Sequence, residues 1–231
     1  MNKLIQLKLY LNDNHEHIAP LVEFDLQVDK IFPFDFSSPN QELSPQTIAD
    51  TSLFSSWISQ KLQSNNCRYG IGGYDEHRTL YSRSELFDNS EEPRRLHLGI
   101  DVWAEAGTSV YAPISGQIHS FRFNDAFGDY GATLILEHDL NGLILYSLYG
   151  HLSLKSIIGL KKGTTVMNGE KIAEFGISSE NGNWPPHLHF QLMFDMQGYE
   201  GDYPGVCRFS ERLTFLSNCP DPAILLNQTF H

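Results

Sequence analysis

Apolar and polar residues alternate over much of this chain, and the period of the alternation changes along it. Leu7, Leu9 and Leu11 alternate with Lys8 and Tyr10, which predicts a strand over residues 3–11. Val22, Phe24, Leu26 and Val28 alternate with Glu23, Asp25 and Gln27 and predict a second, half-buried strand. The polar link from Asn12 to His17 would join the two as a hairpin. Residues 32–40 are turn-rich, punctuated by Pro33 and Pro39. The period then becomes helical: Phe54, Trp57, Ile58 and Leu62 share one helix face, with Ser44-Pro45 or Asp50 as the cap. That stripe is expected to pack on a sheet, with Trp57 in the packing.

Residues 65–73 read as a loop and as the boundary of an N-terminal α+β portion. Gly70-Ile71-Gly72-Gly73 lacks the spacing of a phosphate cradle. The polar run Tyr74-Asp75-Glu76-His77-Arg78 is expected to be a solvated loop, the alternative being a lining for a substrate groove. From residue 96 the pattern is one of short strands: 109–112, 116–123, 132–137, 143–149, 171–175 and 188–194. Asn141-Gly142 marks a two-residue hairpin, and Gly163 and Asn168-Gly169 mark further turns. Short strands separated by glycine turns predict a mainly β, antiparallel architecture. The expected organisation is an α+β portion over 1–65 and a connecting segment over 66–95. A β domain follows over 96–200, and a tail over 201–231 wraps the core.

The candidate chemistry is concentrated in that β region. Arg95-Leu96-His97-Leu98-Gly99-Ile100-Asp101 opens it, Tyr149-Gly150-His151-Leu152 lies in its middle, and Pro185-Pro186-His187-Leu188-His189-Phe190 closes it. His97 and Asp101 are four residues apart, and His187 and His189 two apart. In extended runs each pair shares a face. Two imidazoles and one carboxylate suit a catalytic zinc ion that keeps its fourth position for water, and two histidines remain for proton chemistry. His119 and His138 have no partner at ligand spacing and are expected to be structural or surface residues. His15 and His17 lie in the polar link and read as solvated, and the terminal His231 as inert. His15-Glu16-His17-Ile18-Ala19 fails at the last position of H-E-x-x-H, which excludes a glutamate base on a zinc-binding helix.

In order, spacing and flanking residues, these motifs resemble the M23 family of zinc endopeptidases related to lysostaphin. The resemblance covers roughly residues 95–193 and includes Gly99 and Phe190. It implies a distorted two-sheet sandwich with the metal in a groove on one sheet. It also implies one zinc ion per chain, held by His97, Asp101 and His189, with His151 and His187 as catalytic histidines. The implied reaction is hydrolysis of peptide bonds in bacterial peptidoglycan, often beside glycine or D-amino acids. A non-catalytic, metal-binding regulatory module is the alternative, and the presence of all five residues counts against it. A phosphocarrier-like domain with paired histidines is a further one, against which Asp101 favours a metal.

Composition narrows the substrate more than the fold. The chain has 231 residues and a net charge of −12, which argues against nucleic-acid binding and fits poorly with clinging to an anionic wall. The first eleven residues are interrupted by Gln6 and Lys8 and do not read as an export signal, and no apolar run is long enough to span a membrane. A cytoplasmic peptidase acting on soluble peptides or muropeptides is therefore expected. Cys67, Cys207 and Cys219 form no C-x-x-C motif and are expected to be reduced thiols.

Overall fold

The computed structural model describes residues 2–37, 42–88 and 91–230; Pro39 and His231 lie outside the described residues. Its strands, in chain order, are β1 (Ile31–Phe34), β2 (Tyr69–Gly72), β3 (Leu96–His97), β4 (Ile100–Trp103), β5 (Ser109–Tyr111) and β6 (Gly116–Asn124). They continue with β7 (Gly131–Leu140), β8 (Leu143–Leu152), β9 (Thr165–Val166), β10 (Lys171–Glu174), β11 (His187–Met193) and β12 (Val206–Cys207). Eight of them form one sheet in the order β1-β2-β4-β11-β8-β7-β6-β9, while β10 pairs with β5 and β12 with β3. Every pairing is antiparallel except β1 with β2. The fold is mainly β, as the strand pattern predicts.

The central strands are the ones legible in the sequence. Asn141 and Gly142 have φ values of 56° and 88°, the two left-handed positions that a tight hairpin between β7 and β8 requires. One face of the large sheet carries Ile100, Leu134, Leu136, Leu188 and Phe190 into the main core. The β5–β10 pair covers it with Val110, Ala112 and Ala173, and the first helix adds Leu7 and Leu11. The opposite face, across β4, β11 and β8, is where the histidines gather.

The N-terminal expectations need correction. Residues 3–11 are not a strand: α1 runs over Lys3–Asp13, capped by the Asn2 side chain, which accepts from the Leu4 amide at 2.8 Å. Leu7 and Leu11 are four apart, a spacing common to one strand face and one helix face; Leu9, which a strand would bury with them, is 50% exposed. Residues 22–28 form no strand either. The Asp25 carboxylate accepts from the Gln27 amide (2.9 Å) and Asp29 from the Asp25 amide (2.9 Å), so local turns replace a ladder. Leu26 and Val28 are left exposed.

Conversely, two stretches that read as turn and loop are strands. Ile31–Phe34, with Pro33 inside it, is the edge strand β1, where a missing N–H is tolerated. Tyr69–Gly72 is β2, paired with both β1 and β4. The predicted helix is present as α3 (Thr51–Ser64), with Asp50 accepting from the Ser52 and Leu53 amides at 2.8 and 3.0 Å. Ser44 caps the short α2 (Pro45–Ala49) before it. Phe54, Ile58 and Leu62 are buried against Phe34, Phe36 and Trp103, and Trp57 packs on the same cluster.

Three further helices are α4 (Glu85–Asp88), α5 (Arg212–Asn218) and α6 (Ala223–Phe230). Among the described residues no helix is long and apolar enough to cross a membrane. The three cysteines are free thiols, with Cys207 and Cys219 buried.

Candidate metal centre and cleft

Sheet register assembles the site. In β11 His189 lies directly opposite Asp101 of β4 and, on its other side, Gly150 of β8. Opposed residues share a face, so the side chains of His189 and Asp101 meet. His187, two residues earlier, lies on the same face opposite Trp103. His97 arrives by a different route from the one its spacing suggests. It ends β3, opposite Val206 of β12, and Leu98-Gly99 carry the chain across to β4. At Gly99 a Cβ would stand 2.7 Å from the His189 ring, so only glycine lets the backbone cross so close.

The result is a tight cluster of three buried groups, with one ligand atom from each within 4.8 Å of the others. Asp101 Oδ1 is 3.3 Å from His97 Nε2 and 3.1 Å from His189 Nδ1, and the two nitrogens are 2.9 Å apart. The outer nitrogens fix the tautomers. His97 Nδ1 donates to the Gly73 carbonyl at 2.8 Å, and His189 Nε2 donates to Gln191 Oε1 at 2.9 Å. Gln191 is oriented by its own amide, which donates to the Pro204 carbonyl at 3.1 Å. The inner nitrogens, His97 Nε2 and His189 Nδ1, face each other and a carboxylate oxygen.

Burial alone would raise the Asp101 carboxyl, but His97 and Arg78 beside it hold it well below the usual carboxylate range. Burial, and then the Arg78 cation, push the His97 imidazole down to about 4, so it is neutral at pH 7.

The other two histidines adjoin the cluster without joining it. His187 Nδ1 donates to the Pro185 carbonyl at 2.8 Å, and its ring stacks on Trp103 with centroids 4.0 Å apart. His151 Nδ1 donates to the Asn181 carbonyl at 2.8 Å, and its ring lies 4.1 Å from that of His187. In both, Nε2 is left as the basic atom. Burial lowers both imidazoles, His187 to about 4. Strict alternation along β8 would put His151 on the core face with Tyr149. Its φ of 62° breaks the alternation and brings the ring to the His187 side.

A cavity of about 200 Å³ opens over these residues. Tyr81, Tyr130 and Trp184 wall it, with Asp129, Asp202 and Arg94 around them. Several of these were not singled out by the sequence. Tyr130 is buried, 3.4 Å from His189 Nε2 through its hydroxyl. Tyr203, Pro204 and Gly205 come from the tail, which therefore lines the cleft as well as wrapping the core. The segment 74–78 is not simply a solvated loop. Arg78 in it is 1% exposed and donates to Asp101 Oδ2 at 2.5 Å.

Four other histidines, His15, His17, His119 and His138, lie outside the cluster. His138 is buried in a structural role, within 2.9 Å of the Ser115 carbonyl and 2.7 Å of Ser147 Oγ. His119 is partly buried beside Ser120, and His15 and His17 are exposed in a single 3₁₀ turn.

The family model for peptidase family M23 matches residues 95–200. The chain is 33% identical over 131 residues to the DD-carboxypeptidase/endopeptidase Mpg of Neisseria meningitidis, covering 54% of this chain and 28% of that protein. It therefore spans little more than a quarter of that relative's length. Among solved structures it is similar to a zinc-containing peptidase from Vibrio cholerae, with 31% identity and a TM-score of 0.35 over 42% of this chain and 27% of that one. It is also similar to the catalytic domain of lysostaphin from Staphylococcus simulans, with 29% identity and a TM-score of 0.39 over 58% of this chain and 80% of that one. Residues 95–200, with the H-x-x-x-D, Tyr-Gly-His-Leu and H-x-H motifs inside them, are thus the part of the chain that is similar to peptidase family M23.

Proposed function

We propose that this chain is a zinc-dependent peptidase, with one zinc ion held by His97, Asp101 and His189 and with His151 and His187 as its proton-transfer groups. The observation that carries this reading is the convergence of His97 Nε2, His189 Nδ1 and Asp101 Oδ1, which lie 2.9, 3.1 and 3.3 Å from one another in a buried cluster. The donor set, two imidazoles and one carboxylate, fits zinc with a position left for water. Zinc bound there supplies Lewis acidity, which polarises a carbonyl and brings the pKa of water to about 7.

The protein's own groups do the rest. His151 and His187 are neutral at pH 7, so either can take a proton through Nε2 and return it to a leaving amine. Trp103 and the Pro185 carbonyl hold the His187 ring in one orientation, and the Asn181 carbonyl does the same for His151. The aromatic walls exclude water from a peptide lying over them. The proposed substrates are peptidoglycan-derived or glycine-rich peptides with D-amino acids, and the name of the Neisseria relative supports that class. The net charge of −12 favours soluble muropeptides over an intact anionic wall.

The test is metal analysis of the purified chain beside mass-spectrometric digestion of a muropeptide mixture. About one zinc per chain and a chelator-sensitive cleavage are expected. Zinc-replete protein that leaves every peptide intact would overturn the peptidase reading.

A further inference from the structure

One buried cation beside the ligand cluster takes no part in the hydrolytic chemistry. Arg78 donates from Nη1 to Asp101 Oδ2 (2.5 Å), from Nε to Glu76 Oε2 (2.6 Å) and from Nη2 to the Gly73 carbonyl (3.2 Å). The oxygen it engages is not the one that faces the histidines, which is Oδ1. A carboxylate free to turn about its Cβ–Cγ bond can offer a metal either oxygen or both. Here one oxygen is already taken.

The surroundings are built to hold the guanidinium there. Gly72 pairs with Asp101 across β2 and β4, and a Cβ at position 72 would stand 2.8 Å from Arg78 Nη2. The Phe36 ring lies 5.2 Å from the guanidinium carbon. Backbone hydrogen bonds tie the segment to the metal motif: Asp75 N to the His97 carbonyl (2.9 Å), His97 N to the Glu76 carbonyl (3.0 Å) and Arg78 N to the Arg95 carbonyl (2.9 Å). The Gly73 carbonyl accepts from both Arg78 and His97.

We infer that Arg78 is the positioning residue of the metal centre, holding Asp101 as a one-oxygen ligand. Its guanidinium is also the buried partner that holds this carboxylate in place before any metal arrives. Removing a group that orients a metal ligand from behind typically lowers metal affinity by about ten- to a hundredfold. This inference rests on the zinc reading above. It extends the site to residues 73–78, upstream of the matched family region.

The test compares zinc affinity, by competition with a chelating dye, and the visible spectrum of the Co2+-loaded protein. Glu76→Gln/Arg78→Met removes the cation together with its second carboxylate partner, so the net charge of the cluster is unchanged. Its zinc affinity should fall by about ten- to a hundredfold, and its Co2+ spectrum should change as Asp101 is freed to turn. Glu76→Gln alone leaves Arg78 on Asp101 and should stay within about twofold of wild type. A folded double variant with wild-type zinc affinity and spectrum overturns the inference. Wild-type protein that binds no zinc overturns the zinc reading instead. If the double variant does not fold, Arg78→Lys takes its place, since it keeps the charge but not the two-pronged fork. A several-fold weaker zinc affinity with a shifted spectrum is expected of it, and no change in either overturns the inference.

Discussion

At the scale of single residues, the proposed separation between metal ligands and proton carriers follows from which imidazoles converge on Asp101, those of His97 and His189. His189→Ala removes one of the three converging groups, so the protein should lose most of its zinc. His151→Ala and His187→Ala should keep their zinc while turnover falls by about a hundredfold or more. Zinc stoichiometry measured beside turnover checks this; an empty site in His187→Ala with zinc retained in His189→Ala would reverse the assignment. His151 also holds a left-handed backbone, with φ at 62°. That conformation costs an L-residue roughly 1–2 kcal/mol and glycine far less. His151→Gly should therefore be more stable than His151→Ala by about 1 kcal/mol in urea denaturation, a ranking opposite to that of an ordinary strand position.

At the scale of elements, α3 reaches the site through one aromatic stack. Phe54 is fully buried, its ring centroid 6.0 Å from that of Trp103, and Trp103 in turn carries His187. Phe54→Ala should cost about 3–4 kcal/mol in denaturant titration, because the β1–β2 edge cannot collapse into the space. Turnover should fall as well, since the Trp103 platform loosens, while zinc content should hold because the stack runs from Phe54 through Trp103 to His187, which is not one of the three converging groups. A variant destabilised to this degree but fully active at low temperature would show that the platform is dispensable.

The helix itself was legible from its 3.6-residue stripe and its Asp50 cap. Strand β2 was not, because two of its four residues are glycines, which carry no apolar pattern. They are there for close packing: a Cβ at Gly70 would stand 2.1 Å from the Phe34 ring. Likewise α1 was misread because a stripe at four-residue spacing satisfies both periods, and only the exposure of Leu9 separates them.

At the scale of the whole molecule, buried imidazoles tie stability to pH. His138 lies far along the sheet from the metal ligands, and burial pushes it down to about 4. The unfolded chain takes up this proton near pH 6.5 and the folded chain only near 4, so the unfolded state binds more protons between those values. Stability is thus fully present above about pH 6.5 and is lost as pH falls towards 4, by up to about 3 kcal/mol for this residue. Urea midpoints at pH 7.5 and pH 5 should show the loss, and His138→Gln should diminish it. A pH dependence unchanged by His138→Gln would assign the effect to other groups.

The chemical identity of the site was in the sequence, because metal ligation and proton transfer demand particular side chains. Five such residues in three motifs survive whatever the backbone does between them. The mainly β character was there too, since glycine turns and two-residue alternation are local properties. Only the tertiary structure decided how His97 reaches Asp101 across two sheets, how a left-handed backbone turns His151 to the cleft, and that Arg78 is buried behind Asp101. Each of these depends on contacts between distant segments: β3 with β12, β8 with β11, and residues 73–78 with the metal motif. An arginine in a polar run reads as solvated until a buried carboxylate is placed beside it, and placing it takes the whole fold.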